Sequence, residues 1–277
     1  MATQIRHESW LELAARLGYT ARGCVFAVVG VLAALAAVGN PSRAPDSKDA
    51  LRTLLNQPFG EALLALIAAG LLCFAVWRLA QAVLDADRHG ATPSSLLQRF
   101  AQAASALFYV AFAWVAISMI FGSEPKGSSD QMAHEWTAWL LEQPWGRWFV
   151  GAIGLGFLIT GAGVAGRGLR ADFKSRIETK EDKKKKEVVT ALGVVGFLAR
   201  GFVFAIIGLF FLFAAIHASS NEAKGFAGAL RALQNYPYGR IVLGMTSAGF
   251  IAFGLFEIGQ GAYRRIRLPR LAEHGSR

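Results

Sequence analysis

The composition of this 277-residue chain is that of a membrane protein, with 54% hydrophobic residues and only 17% charged residues, against about 25% charged residues in a soluble domain. The formal net charge of +10 does not indicate a nucleic-acid-binding protein, because Lys and Arg cluster at the ends of apolar runs. That placement is typical of membrane proteins.

Six apolar runs follow one another along the chain, and each is near the roughly 20 residues that a helix needs to cross a bilayer. Backbone polar groups must be satisfied within each span, and the runs lack the alternation of barrel strands, so helices are predicted. The sequence therefore predicts an all-α membrane protein with six transmembrane helices. The runs are 17–38, 60–84, 100–121, 147–166, 193–217 and 240–262.

A Pro-aromatic-Gly motif precedes every second apolar run, and its prolines are 86 and 93 residues apart. This period predicts three helix-pair repeats, 1–92, 93–187 and 188–277. Each repeat has an even number of spans, so we predict that all three run in parallel and are related by a pseudo-three-fold axis. The motif residues are Pro58, Phe59 and Gly60; Pro144, Trp145 and Gly146; and Pro237, Tyr238 and Gly239.

The proline motif is interpreted as a helix start with an interfacial anchor. Proline is favoured in the first turn of a helix, and the neighbouring aromatic ring suits the membrane surface. The leucines before each motif predict a short amphipathic segment in the interface. The alternative is a gate or binding lip on the outer face.

Small residues recur at fixed distances after each proline, which predicts a close-packing face on every even-numbered span. Two odd-numbered spans carry matching glycine pairs, whereas the middle repeat has Ser105 and Phe112 instead. The small residues are Ala65, Gly151 and Gly244; Ala68, Gly154 and Ser247; and Gly70, Gly156 and Gly249. The odd-span pairs are Gly23 with Gly30 and Gly201 with Gly208.

The loops on one side of the predicted bundle carry most of the Lys and Arg residues. This asymmetry places both termini and the 167–187 linker in the cytoplasm. The linker is basic enough to attract anionic lipids, although its acidic residues weaken that attraction. The bilayer is the predicted partner, and no nucleic acid is expected.

Several sequence motifs make the chain resemble a bacterial integral membrane family, the domain of unknown function 1206. They are Leu17 to Gly23, the three Pro-aromatic-Gly motifs, Trp77-Arg78-Leu79 with Gln81, and Ala262 to Arg265. The resemblance implies three copies of a helix pair in a bacterial inner-membrane protein. The family has no established activity, so it implies no functional residue.

Four ionisable residues lie inside the apolar runs at one predicted level near the cytoplasmic edge: Arg22, Arg78, Arg200 and Glu257. When the repeats are aligned, Arg200 occupies the position equivalent to Arg22, and Glu257 occupies the position equivalent to Arg78. One interpretation is snorkelling of the long side chains into the headgroups. The other is a polar cluster in which Glu257, which snorkels poorly, faces inward and pairs with Arg22 or Arg200.

The sequence contains no motif of a known catalytic, cofactor-binding or metal site, so we predict that the chain is not an enzyme and needs no cofactor. Two functions remain open. One is a structural or regulatory membrane component that packs against lipids or protein partners. The other is a small-solute or ion transporter or channel with a path between the three repeats, since internal repeats recur in transporters.

Overall fold

The structure of this chain is a computed structural model, which describes residues 2–38, 47–84, 93–123, 127, 129–171, 183–235 and 238–263. The described elements are helices throughout. Six helices are long and apolar enough to cross a membrane: α1 (Ala2–Ala37), α3 (Gly60–Leu84), α4 (Pro93–Ile120), α6 (Gly146–Arg170), α7 (Lys183–His217) and α9 (Gly239–Tyr263). The predicted all-α membrane fold with six transmembrane helices is confirmed.

Three short helices precede the even-numbered spans, where the sequence predicted amphipathic segments. They are α2 (Ser47–Leu55), α5 (Ser129–Leu141) and α8 (Phe226–Asn235). Leu51 of α2 and Leu230 of α8 are completely buried, so the leucine faces of these helices pack onto the ends of the long helices. A carboxylate oxygen of Asp130, in α5, accepts hydrogen bonds from the backbone N–H groups of Gly225 and Gly228 at 3.0 and 2.7 Å. This contact caps the start of α8.

The long helices pack side by side in the order α4, α3, α1, α9, α7, α6. The most extensive contacts join helices of different repeats: α3 with α4, α6 with α7, and α1 with α9. Within repeats, α1 packs on α3 and α7 packs on α9, whereas α4 and α6 of the middle repeat do not pack extensively in the described residues. The pseudo-three-fold axis stays a prediction.

Glycine residues allow two of the helix pairs to approach closely. A Cβ atom on Gly254 of α9 would lie 2.6 Å from the carbonyl oxygen of Gly23 in α1. Helices α6 and α7 approach each other in the same way, because a Cβ atom on Gly161 would lie 2.7 Å from the carbonyl oxygen of Gly201. In lipid, where apolar burial does not drive helices together, such van der Waals contact between backbones stabilises association.

The predicted packing face is only partly correct. Ala68, Gly154 and Ser247 lie at helix contacts or are buried. The position seven residues after each proline contributes little, since Ala65 is exposed and a Cβ atom on Gly244 would meet nothing within 4 Å. Of the three glycines that lie twelve residues after a proline, Gly70 and Gly249 pack against a neighbouring helix, whereas a Cβ atom on Gly156 would meet nothing within 4 Å.

The proline motif forms a turn before the helix and not its first turn, which corrects the prediction. The helices α3 and α6 begin at the motif glycines, and the Gly60 N–H donates to the Gln57 carbonyl at 2.8 Å across Pro58. The Gly146 N–H does the same to Gln143 across Pro144, at 2.9 Å. The ring of Phe59 is 89% exposed, as an interfacial anchor requires. Pro237 lies outside the described residues.

Glycine is required in this turn by the preceding short helix. A Cβ atom on Gly60 would collide with the backbone carbonyl of Leu55, and one on Gly146 with that of Leu140. Backbone atoms cannot rotate away as a side chain can, so any larger residue would push α2 or α5 from its position. The motif therefore serves to turn the chain sharply from a short helix into a long one.

The glycine contact between α1 and α9 generates a test. Gly254→Ala should lower the free energy of unfolding by about 1–3 kcal/mol, because the added methyl group must separate two backbones. Gly244→Ala in the same helix is the control, and it should be neutral or mildly stabilising because alanine favours the helix. Thermal unfolding in detergent measures both. Equal loss from the two changes would contradict the proposed contact.

Candidate functional site: a buried charge cluster

The glycine contact between α1 and α9 brings two opposite charges together. Gly23 follows Arg22 directly, and Gly254 lies one helical turn before Glu257. The Arg22 Nη1 atom donates to the Glu257 Oε2 atom at 3.1 Å, with side chains that are 5% and 3% exposed respectively. Glu257 thus pairs with Arg22, one of the two arginines that the sequence analysis named, and neither side chain snorkels.

Aromatic rings surround the Arg22 guanidinium. Its Cζ atom lies 5.4 Å from the ring centroid of Phe74, 5.7 Å from that of Tyr109 and 5.3 Å from that of Phe253. Phe26 of the same helix adds a fourth ring at 5.6 Å. Cation–π contacts of this kind contribute about 2 kcal/mol or more where the cation is desolvated, so the rings offset part of the cost of burying the charge.

The other two arginines share these rings with Arg22. The Cζ atom of Arg78 lies 5.0 Å from the Phe74 centroid, and that of Arg200 lies 5.4 Å from the Phe253 centroid. The structure therefore brings all four predicted residues into one group, which we call the charge cluster: Arg22, Arg78, Arg200 and Glu257. Arg78 and Glu257 each lie 18 residues after the start of their helix, or roughly 27 Å along it, and the position of the cluster near the cytoplasmic edge stays a prediction.

The charge cluster has more positive than negative charge. Among the described residues, Glu257 forms an ion pair with Arg22, and no carboxylate forms one with Arg78 or Arg200. The Arg78 Nη1 atom donates to the amide oxygen of Gln81 at 3.3 Å. Like charges repel more strongly inside a protein than in water, because the effective dielectric constant is lower there, so the excess positive charge is costly.

Two buried guanidinium atoms lack an acceptor. The Nε atoms of Arg22 and Arg78 are both buried without a hydrogen-bond partner. Unpaired buried polar atoms cost free energy and are rare in folded proteins. The cluster is therefore a place where hydrogen-bond donors point toward no acceptor of the described chain.

Sequence reasoning found the charges but not the rings around them. Phe74 and Phe253 each lie four residues before the charged residue of their helix, Arg78 and Glu257. That spacing places each ring on the same helix face as the charge, so the repeat alignment held a signal for them. Tyr109 lies in α4, which contributes no charged residue to the cluster, so no charge in its own helix indicated it. Only the packing of α4 on α3 brings Tyr109 to Arg22.

One family model matches this chain at three places. The model described as Domain of Unknown Function (DUF1206) covers residues 17–85, 100–171 and 195–264. The chain belongs to this DUF1206 family. A relative in Bacillus subtilis (strain 168), described as "Uncharacterized protein YxxB", is 35% identical over 267 residues, which cover 95% of this chain and 96% of the relative. No solved structure matches this DUF1206 protein.

The Arg22–Glu257 pair predicts a specific loss of stability. Glu257→Gln should lower the free energy of unfolding by about 3–5 kcal/mol, because it leaves the buried Arg22 charge without its partner. Thermal unfolding in detergent would measure this. Glu142→Gln is the control, because Glu142 is exposed and exposed charges contribute about 0–1 kcal/mol. Similar losses in the two variants would mean that the pair does not stabilise the fold.

Proposed function

We propose that this multi-pass membrane protein is a structural or regulatory membrane component that acts by packing against lipid. The observation that carries the proposal is the open middle repeat. In the first and third repeats the two long helices pack together, whereas α4 and α6, at the two ends of the row of helices, do not pack extensively on each other in the described residues. We use the word seam for these two helix faces without a partner within the repeat, defined by Phe100 and Ala103 on α4 and by Gly156 and Thr160 on α6.

The residues of the seam are the counterparts of a contact that exists in the other repeats. In the first repeat, Gly70 lies against Ala21, and Gly18 lies against Phe74. In the third repeat the same contacts join Gly249 with Ala199 and Gly196 with Phe253. These four contacts show which residues hold the two helices of a repeat together.

The middle repeat has a physical reason to stay open. Phe100 occupies the position of Gly18 and Gly196, so a bulky ring stands where backbone contact needs a glycine. This ring is 72% exposed, and a Cβ atom on Gly156 would meet nothing within 4 Å. The seam thus presents apolar and small surface to the membrane, a surface that acyl chains can cover.

Localisation in the bacterial inner membrane, with both termini in the cytoplasm, belongs to the same proposal. Its support is the Lys and Arg asymmetry of the loops. Contact of the basic 167–187 linker with anionic lipids is also proposed, on charge alone; residues 172–182 lie outside the described part of the chain. The absence of enzymatic motifs supports a non-catalytic role.

A transporter or channel is the second candidate, and the charge cluster favours it. Ionisable residues that face the interior of a membrane bundle often mark the path of an ion or solute. This candidate predicts solute flux in reconstituted vesicles that disappears when Arg78 or Arg200 is replaced. A lipid-packing component would give no such flux.

The open seam can be tested by a spin label at Gly156→Cys, in a chain whose two native cysteines are replaced by alanine. Collision with oxygen, which partitions into lipid, should be high, and collision with a water-soluble nickel chelate should be low. Leu155→Cys is the lipid-facing reference, because Leu155 on the same helix is 53% exposed. Low accessibility of the Gly156 label to both reagents would show a seam closed by protein and would remove the main support for the proposal.

The topology can be tested separately. A reporter fused after Arg277 should be found in the cytoplasm, because the basic side of a multi-pass protein stays inside. A reporter inserted at Gly127, between α4 and α5, should be found on the opposite side. Both reporters on one side, or an external C-terminus, would refute the proposed orientation.

A further inference from the structure

We infer that the charge cluster is a binding site for an oxyanion of the phosphate type, held by Arg78 and Arg200. The inference rests on the geometry of the cluster and is independent of the seam. Arg22 shares the ring of Phe74 with Arg78 and the ring of Phe253 with Arg200. In the described residues a single carboxylate, that of Glu257, forms an ion pair with any of them.

The roles of the three arginines differ. Arg22 is 4% exposed and is held by Glu257, so it is a positioning residue that fixes the centre of the cluster. Arg78 and Arg200 are only partly buried, so part of each side chain is open to a ligand. A ligand bound there would supply the negative charge that no carboxylate of the described residues provides to these two arginines.

The chemistry of the donors selects the class of ligand. A guanidinium presents N–H donors in a planar fork that matches two oxygen atoms of one phosphate or carboxylate. Chloride offers no such pair of oxygens. A tetrahedral oxyanion can also face two guanidinium groups at once, and an anion neutralises the excess positive charge that the aromatic surroundings cannot.

The phosphate group could come from a free ion in solution or from the headgroup of an anionic lipid, and the same chemistry recognises both. The cluster lies roughly 27 Å along α3 and α9 from their first residues, close to the depth at which lipid headgroups begin. The experiment therefore has two arms that separate the sources.

The first arm titrates the purified full chain in detergent with inorganic phosphate and measures binding by calorimetry. Sodium chloride at equal ionic strength is the salt control. The second arm places the chain in nanodiscs of phosphatidylcholine with or without phosphatidylglycerol and measures the melting temperature. Phosphate binding in the first arm identifies a free anion, and stabilisation by phosphatidylglycerol alone identifies a lipid headgroup. Either outcome supports the site if replacement of Arg78 or Arg200 weakens the observed binding.

Arg78→Gln and Arg200→Gln should each weaken binding by about tenfold or more, because each removes a charge-assisted hydrogen-bond donor. Arg240→Gln, an exposed residue at the start of α9, should leave binding unchanged. Glu257→Gln should act in the opposite direction and tighten binding, because it frees the Arg22 charge. A purely structural cluster would not produce opposite signs.

Arg78→Lys keeps the fold testable if the glutamine variants do not fold. It retains the positive charge but loses the planar fork, so it should weaken phosphate binding while the melting temperature of the free protein changes little. The inference is overturned if neither phosphate nor phosphatidylglycerol binds. It is also overturned if chloride has the same effect, or if the arginine variants bind as tightly as the original chain.

Discussion

The close approach of α1 and α9 at Gly23 and Gly254 is the contact on which the rest of the bundle depends. These two helices are the most buried of the six spans, and they occupy the middle of the row. Only residues without a side chain let two backbones come within van der Waals contact in lipid. That short distance is what places the Arg22 guanidinium within 3.1 Å of the Glu257 carboxylate.

The buried ion pair and the aromatic rings stabilise each other. Burying two charges costs more than their attraction returns unless the geometry and the remaining hydrogen bonds are good. Here the rings of Phe74 and Phe253 supply further electrostatic attraction at 5.4 and 5.3 Å from the Arg22 Cζ atom. They also exclude water, which strengthens the pair. Because water is excluded, the excess positive charge of Arg78 and Arg200 is also less well solvated. An anion bound at the proposed ligand site would neutralise it.

The middle repeat departs from the other two at the residues that control helix approach. Phe100 and Phe112 stand where the outer repeats have glycines, and Val164 stands where they have Arg78 and Glu257. The middle repeat therefore contributes neither a charge to the cluster nor a closed helix pair. Repeats one and three form the polar centre, and the divergence of repeat two is the basis for the proposed contact with lipid.

The sequence by itself determined the class of fold, the six spans and the repeat, because span length, apolarity and glycine spacing are local properties that a bilayer imposes. It also placed Arg22, Arg78, Arg200 and Glu257 at one depth, since depth follows from counting residues along a helix. Only the tertiary structure decided which arginine Glu257 meets, because that depends on helix rotation and on which helices are neighbours. It likewise decided that α4 and α6 do not pack on each other, since whether Phe100 prevents a helix contact depends on which residues would lie against it.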